Sequence, residues 1–303
     1  MWGAPTHKER GGTVSEILQV VVSGLILGCI YALIAGGLNL MFGVFGVLNL
    51  AHGEFVLGGA FTAWFLHDGL HWHPLVCIAV GAVAMFGLGV VLQALLIERV
   101  LHQAAVMSLI LLFGVSLSVQ GLGIHLFGVT DRTLSYYAGS FDVFGWFTLS
   151  KARLTVVAVA LPVLAAVHVY LRYTKIGIAT KATAQNAQIA EACGINVKMV
   201  RHLTTGVATA VAGIAGGLII MIFPFNPQSG FQYAIIAFVV AVVGGLGSFY
   251  GSVLAGLVLG AGQGLVGYYS TSELSVAIMY LFLIAVLIAR PSGFAGVARA
   301  LER

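Results

Sequence analysis

Three polar residues stand out because they lie where polar groups are costly. Asn49, His52 and Glu54 fall inside GVFGVLNLAHGEFVLGG, residues 43–59, a glycine-rich stretch flanked by long apolar runs. Ionisable groups within an apolar span mark a solute or ion path, or pair with one another. Glu54 could pair with His52 or meet the amine of a solute. The other reading is structural: a glycine-rich break frees backbone groups, and the three side chains cap them. In both readings they face protein. A second polar, glycine-rich stretch is GGLGSFYGSVLAG, residues 244–256. Paired interruptions in the two halves of a transporter point to its binding path. This gives a candidate substrate path of Asn49, His52, Gly53, Glu54 and Gly58 from the first stretch, and Gly244, Gly245, Gly247 and Ser248 from the second. Gly46, Gly53 and Gly58 repeat the spacing of Gly244, Gly251 and Gly256, which implies a parallel repeat. The chain holds 40 glycines, so coincidence stays open.

Other reactive groupings carry less. His67, Asp68, His71 and His73 crowd one short loop with Trp72. They read as an interfacial polar cluster or as metal ligands. Gly262, Gly264 and Gly267 spell G-x-G-x-x-G inside an apolar run with no strand before it, so the dinucleotide motif lacks its context. No Gly-Lys dipeptide occurs, so the chain has no Walker A loop and is not itself an ATPase. Cys29, Cys77 and Cys193 have no metal or redox spacing. No nucleophile-base pair is evident, and enzyme chemistry is not expected.

The elements that position these residues follow from composition. Hydrophobic residues make up 60% of the 303 and charged residues 8%, against about 25% charged in soluble domains. Continuous apolar runs without alternation predict spanning helices rather than a barrel. Nine candidate spans are read at 14–40, 44–66, 74–97, 105–127, 154–171, 203–223, 232–246, 250–268 and 273–290. Eight spans with one re-entrant segment is the alternative. The expected class is an all-α, polytopic membrane protein of eight to nine helices, some broken or re-entrant, forming one domain over 1–303. The first run is too long for a signal peptide and reads as a retained span. Pro224 and Pro227 flank Asn226 and read as a turn between spans. Gly24/Gly28, Gly213/Gly217, Gly256/Gly260 and Gly260/Gly264 predict close helix packing.

Lys and Arg placement orients the chain. With the N-terminus outside and the C-terminus cytoplasmic, Arg99, Arg172, Lys175, Lys181, Lys198, Arg201, Arg290, Arg299 and Arg303 lie inside. Lys8, Arg10, Arg132, Lys151 and Arg153 lie outside. The net charge of +4 reflects these loops; no basic patch with interleaved aromatics points to nucleic acid. Two connections are long, 128–153 and 172–202. The second contains a good helix former, Ala179–Cys193, followed by Gly194 where a left-handed cap belongs. Such a helix docks on a partner ATPase or rests on lipid headgroups.

Three strings then carry a resemblance: GVLNLAHGEFVLGGAF (Gly46–Phe61), ATKATAQNAQIAEACGINV (Ala179–Val197) and AFVVAVVGGLGSFYGSVLAGLVLG (Ala237–Gly260). In this order and spacing they resemble the branched-chain amino-acid ABC permease family, as does the ending ARPSGFAG (Ala289–Gly296). The likeness runs from Val14 to Gly296. It implies a permease subunit of an ATP-driven importer in the bacterial cytoplasmic (inner) membrane. It also implies a second permease subunit, two cytoplasmic ABC ATPase subunits that use the ATP, and a periplasmic or extracellular solute-binding protein. The expected solutes are branched-chain amino acids, or urea, amides and aromatic acids. No cofactor is expected on this chain. ATPase coupling is implied for the central loop, here Thr183, Gln185, Asn186, Ala190, Glu191, Gly194 and Ile195. No leucine-proline pair follows Gly194, a departure from the wider importer pattern. The rival class, a stand-alone secondary transporter or channel, usually needs several charged residues within spans, and Glu54 is the clear one here.

Overall fold

The architecture comes from a computed structural model that describes residues 12–101, 103–134, 139–143 and 147–295. Lys8, Arg10, Arg299, Arg303 and the Gly296 end of the last string lie outside the described residues. The long apolar helices are α1 (Gly12–Phe45), α2 (His52–Leu70), α3 (Pro74–Leu92), α5 (Ala105–Phe127), α6 (Lys151–Tyr173), α9 (Val197–Ile219), α10 (Ser229–Gly244), α11 (Phe249–Tyr269) and α12 (Ser272–Ala289). They fall on the nine runs read from the sequence. Among the described residues, six regions are individually long and apolar enough to cross a bilayer: α1, α3 with its extension, α5, α6, α9 and α11. Helix α3 continues through a π-helical turn, Gln93–Ile97, into the short α4 (Glu98–Val100). The loop 172–202 holds α7 (Lys175–Gln185) and α8 (Ala187–Ala192).

Two departures from the sequence reading are local. The expected single helix 179–193 is broken at Asn186. That residue is extended, and its Oδ1 accepts from Ile189 N (3.0 Å), so it ends α7 and caps α8. The 128–153 connection contains an antiparallel hairpin, β1 (Ser140–Val143) with β2 (Phe147–Ser150), Ser140 opposite Ser150.

The core is built on two helices of opposite direction, α1 and α9. Helix α11 lies antiparallel on α1, and α3 lies antiparallel on α9. Glycines make the first contact close. A Cβ on Gly28 would stand 2.7 Å from the Gly256 carbonyl, and one on Gly24 2.6 Å from that of Gly260. The small-residue spacing therefore brings backbones together.

Helices α2 and α10 begin part-way along their neighbours. After α1 ends at Phe45, the chain turns back, and His52 Nε2 reaches the Ile34 carbonyl (3.0 Å). Eleven helical residues separate Ile34 from Phe45, about 16 Å of axis. Helix α10 likewise follows an irregular stretch, 220–228, rather than a tight turn. The two breaks share one hydrogen-bond pattern. Asn49 Oδ1 accepts from Ala51 N (3.0 Å) and its carbonyl from His52 N (3.1 Å). Asn226 Oδ1 accepts from Gln228 N (3.0 Å) and its carbonyl from Ser229 N (3.0 Å). Each helix starts three residues after its asparagine, and a glycine, Gly53 or Gly230, follows.

The repeat is consequently inverted: α1, α2, α3 and α5 correspond to α9, α10, α11 and α12. This corrects the parallel pairing of Gly46, Gly53 and Gly58 with Gly244, Gly251 and Gly256. Gly244 and Gly251 face each other across a turn, whereas Gly53 meets Gly230. The turn between Pro224 and Pro227 is the second break.

Candidate functional site

The two half-depth helices meet at their N-termini. A Cβ on Gly53 would fall on the Gly230 carbonyl and within 2.7 Å of Ala234 N, so bare backbone is required there. Glu54, in the first turn of α2, points at Gly230, and its carboxylate lies 2.5–2.8 Å from where a Gly230 Cβ would stand. Its Oε1 accepts from Ser116 Oγ on α5 (2.8 Å), while Oε2 is buried without a hydrogen-bond partner. Glu54 is 5% exposed. The positive ends of two helix dipoles meet here and favour negative charge at this point.

Asn49 and His52 act differently from Glu54. Both are buried, Asn49 at 3% and His52 at 0%. Asn49 closes the turn and His52 pins it to α1, so they hold the break in place. Glu54 and Gly58 open instead on a groove of about 360 Å³ between α2, α3 and α5. Its other walls include Met85, Leu88, Leu92, Val115 and Val119.

The second glycine-rich stretch lies elsewhere, where α10 turns into α11. Gly245 and Gly247 have φ of 100° and 83°, left-handed values that favour glycine. Asn39 of α1 organises the turn: Nδ2 donates to the carbonyls of Gly245 and Ser248 (both 3.2 Å), and Oδ1 accepts from Gly247 N (3.1 Å). Ser248 caps α11 through Gly251 N (3.1 Å). Gly247 and Ser248 line a small pocket of about 180 Å³ with Thr180, Lys181 and Ala184 of α7. Gly244 is buried against Gly251. The structure thus places the first stretch at mid-depth and the second beside α7.

The central loop is a folded platform. Thr183 and Ala190 are buried beneath it, at 3% and 4% exposure. Gln185 ends α7 and Asn186 caps α8; Glu191 is exposed near its end. Gly194, at φ 83°, donates to the Glu191 carbonyl (2.9 Å), and Ile195 N to that of Ala190 (3.1 Å), closing α8. Ile178 and Ile189 remain exposed at 55% and 63%.

Sequence reading missed a polar chain that joins this platform to the groove. Arg201, one turn into α9, pairs with Glu98 (3.2 Å). Gln93 Nε2 donates to Glu98 Oε2 (3.0 Å), and Gln93 Oε1 accepts from Thr205 Oγ1 (3.0 Å). Gln93 is fully buried at the π-helical turn, whose Leu95 and Leu96 line the groove. Mid-helix π turns often mark functional sites. Asn39 and Asn226 were also missed. The signal for Asn226 was the shared frame of asparagine, three residues, glycine in NLAHG and NPQSG.

The broken apolar helices with a folded loop between two halves define a membrane transport component. The family described as "Branched-chain amino acid transport system / permease component" matches residues 20–287. The permease protein LivH of the high-affinity branched-chain amino acid transport system of Salmonella typhimurium is 30% identical over 293 residues, covering 92% of this chain and 95% of the relative. The corresponding BraD of Pseudomonas aeruginosa is 28% identical over 297 residues, covering 93% and 97%. A probable LivH of Methanocaldococcus jannaschii is 26% identical over 297 residues, covering 92% of each. No solved structure gives a significant match. The chain belongs to the branched-chain amino-acid transport permease family: it is a multi-pass membrane permease subunit, a transport component rather than an enzyme.

Proposed function

We propose that this chain forms one half of the membrane pore of an ATP-driven importer of branched-chain amino acids, working with a second permease subunit. Separate ABC ATPases dock on α7 and α8, and a binding protein delivers solute at the opposite end. The observation that carries the reading is the platform itself: two short helices exposing Ile178 and Ile189 at the basic end of the molecule. Arg99, Arg172, Lys175, Lys181, Lys198, Arg201 and Arg290 gather at that end, against Arg132, Lys151 and Arg153 at the other. That end is therefore cytoplasmic, and the membrane is the inner one. An exposed apolar platform with little core of its own needs a protein partner.

ATP-driven closure of the ATPases pushes α7 and α8, and the movement passes into α9 and α3 as rigid bodies. Alternating access follows when α2 and α10 shift where they meet. The experiment is purification of the tagged chain with its co-expressed partners, followed by reconstitution. The ATPases are expected to co-purify, and leucine uptake is expected to need ATP and the binding protein. Uptake by the permease alone, without ATP, would replace this reading with a stand-alone transporter.

A further inference from the structure

The two halves of the repeat differ where their half-depth helices begin. The break before α10, 220–228, is strapped by the chain that follows α5. Arg132 and Phe225 exchange both backbone hydrogen bonds, each 2.8 Å, and Leu134 N donates to the Ile220 carbonyl (3.0 Å). Asp131 Oδ1 accepts from Asn226 Nδ2 (2.8 Å). The break before α2, 46–51, makes no backbone hydrogen bond to a distant segment among the described residues. The inverted repeat makes the segment after α12, 290–295, the counterpart of the strap. It goes elsewhere: Phe294 N and Ala295 N donate to the carbonyls of Val243 and Gly244 (2.9 and 3.0 Å).

Under the strap lies a set of packed rings. Phe225 is fully buried. It stacks on Tyr233 of α10, with centroids 5.4 Å apart, and stands edge-on to Phe61 of α2 at 6.1 Å. Phe61 stacks on Phe127, the last residue of α5, at 4.6 Å. The Arg132 guanidinium lies over the Trp64 ring of α2, 4.5 Å from its centroid. Phe61 stands eight residues along α2 from Gly53, about 12 Å further from α7 and α8. The rings therefore tie α2, α5 and α10 together on one side of the Gly53–Gly230 contact. Separating α2 from α10 on that side must break them. Pro224 and Pro227 flank Phe225 at close range and have no N–H to donate. The pairing with Arg132 cannot grow into a longer ladder, so the latch stays short.

We infer that the strap 131–134, with Phe225 and the rings beneath it, is the outer gate of the solute path, shut in this conformation. The inference rests on the importer reading and names the barrier that a docking binding protein must release. The strap lies at the end of the molecule away from α7 and α8, where water can take over its peptide groups when the pair parts. The break before α2 has no equivalent latch, so control of the inner side falls to the platform and whatever docks on it. The test locks the strap. Asp131→Cys with Asn226→Cys, in a Cys193→Ser background, puts two thiols where the native side chains already touch, within reach of a disulfide or a short bis-thiosulfonate. Thr133→Cys with Pro224→Cys, both exposed, repeats the lock on the other side of the Arg132–Phe225 pair. It carries the test if loss of the Asn226 cap prevents assembly.

Leucine uptake by the reconstituted complex, with ATP and the binding protein, is measured before cross-linking, after it, and after dithiothreitol. Cross-linking is expected to lower uptake about tenfold or more, because a fixed strap holds α10 against α2 and α5. Dithiothreitol is expected to restore it, and the ATPases are expected to stay bound throughout. Each single-cysteine variant, treated alike, is expected to keep its uptake. Cross-linked complex that transports within about twofold of the reduced form, a loss that dithiothreitol does not reverse, or failure of both pairs to cross-link would overturn the gate. Wild-type uptake, measured in parallel, separates the two failures. Uptake that the lock does not touch removes only the gate. Absence of ATP-dependent uptake removes the importer reading, and the gate with it.

Discussion

Single residues show how little chemistry holds the two breaks. Asn49 and Asn226 each use one side-chain oxygen and one carbonyl to start a helix at half depth. Removing such a cap costs about 1–2 kcal/mol. Asn49→Ala and Asn226→Ala are expected to lower the thermal midpoint of the detergent-solubilised chain by similar amounts, read by tryptophan fluorescence or thermal-shift assay. Unequal losses would argue against equivalent roles. His52→Ala removes the strap to Ile34 as well and is expected to cost more than Asn49→Ala in the same measurement. At this scale the sequence was half legible. Asn49, His52 and Glu54 were conspicuous because polar groups in an apolar run are rare. Asn226 was hidden between two prolines that already explained a turn. The split between the strap residues and Glu54 could not be read, because it depends on which side chain reaches α1 and which reaches α5.

Among elements, the apolar helices are legible because lipid demands long apolar runs. What was not legible was where two of them begin. A half-depth start and a surface loop can have the same composition, and only the His52 contact with Ile34 distinguishes them. Repeat pairing failed for a related reason. Glycine spacing records close approach, and glycines at Gly53 and at Gly251 approach different partners. The α1–α11 seam makes a strong prediction. Gly28→Leu places a side chain where a Cβ alone already meets the Gly256 carbonyl at 2.7 Å. The helices must part, and folded yield by size-exclusion chromatography is expected to fall severely; Gly262→Leu, with open space around Gly262, is expected to leave it near wild type. The polar chain at the base of α3 predicts a different loss. Glu98→Gln keeps Gln93 supplied with an acceptor but weakens the Arg201 pair, which is partly buried. Under the importer reading, the proposed ATPases are expected to remain bound while ATP hydrolysis and solute uptake become uncoupled, measured together in proteoliposomes. Tight coupling in that variant would exclude this route.

For the whole molecule, the orientation proposed from the distribution of charge is testable through a native thiol. Cys193 is exposed at the end of α8, while Cys29 and Cys77 are buried. A membrane-impermeant maleimide is expected to label Cys193 in inside-out vesicles and not in intact cells. Labelling of intact cells would reverse the orientation. The inverted repeat has a further meaning at this scale, since its two half-depth helices, α2 and α10, meet backbone to backbone at Gly53 and Gly230. Interlocked side chains must unpick before helices can turn against each other. Gly53 on Gly230 has no side chains to unpick, so a shift of α2 against α10 is opposed elsewhere, along the seams that α1 makes with α11 and α3 with α9.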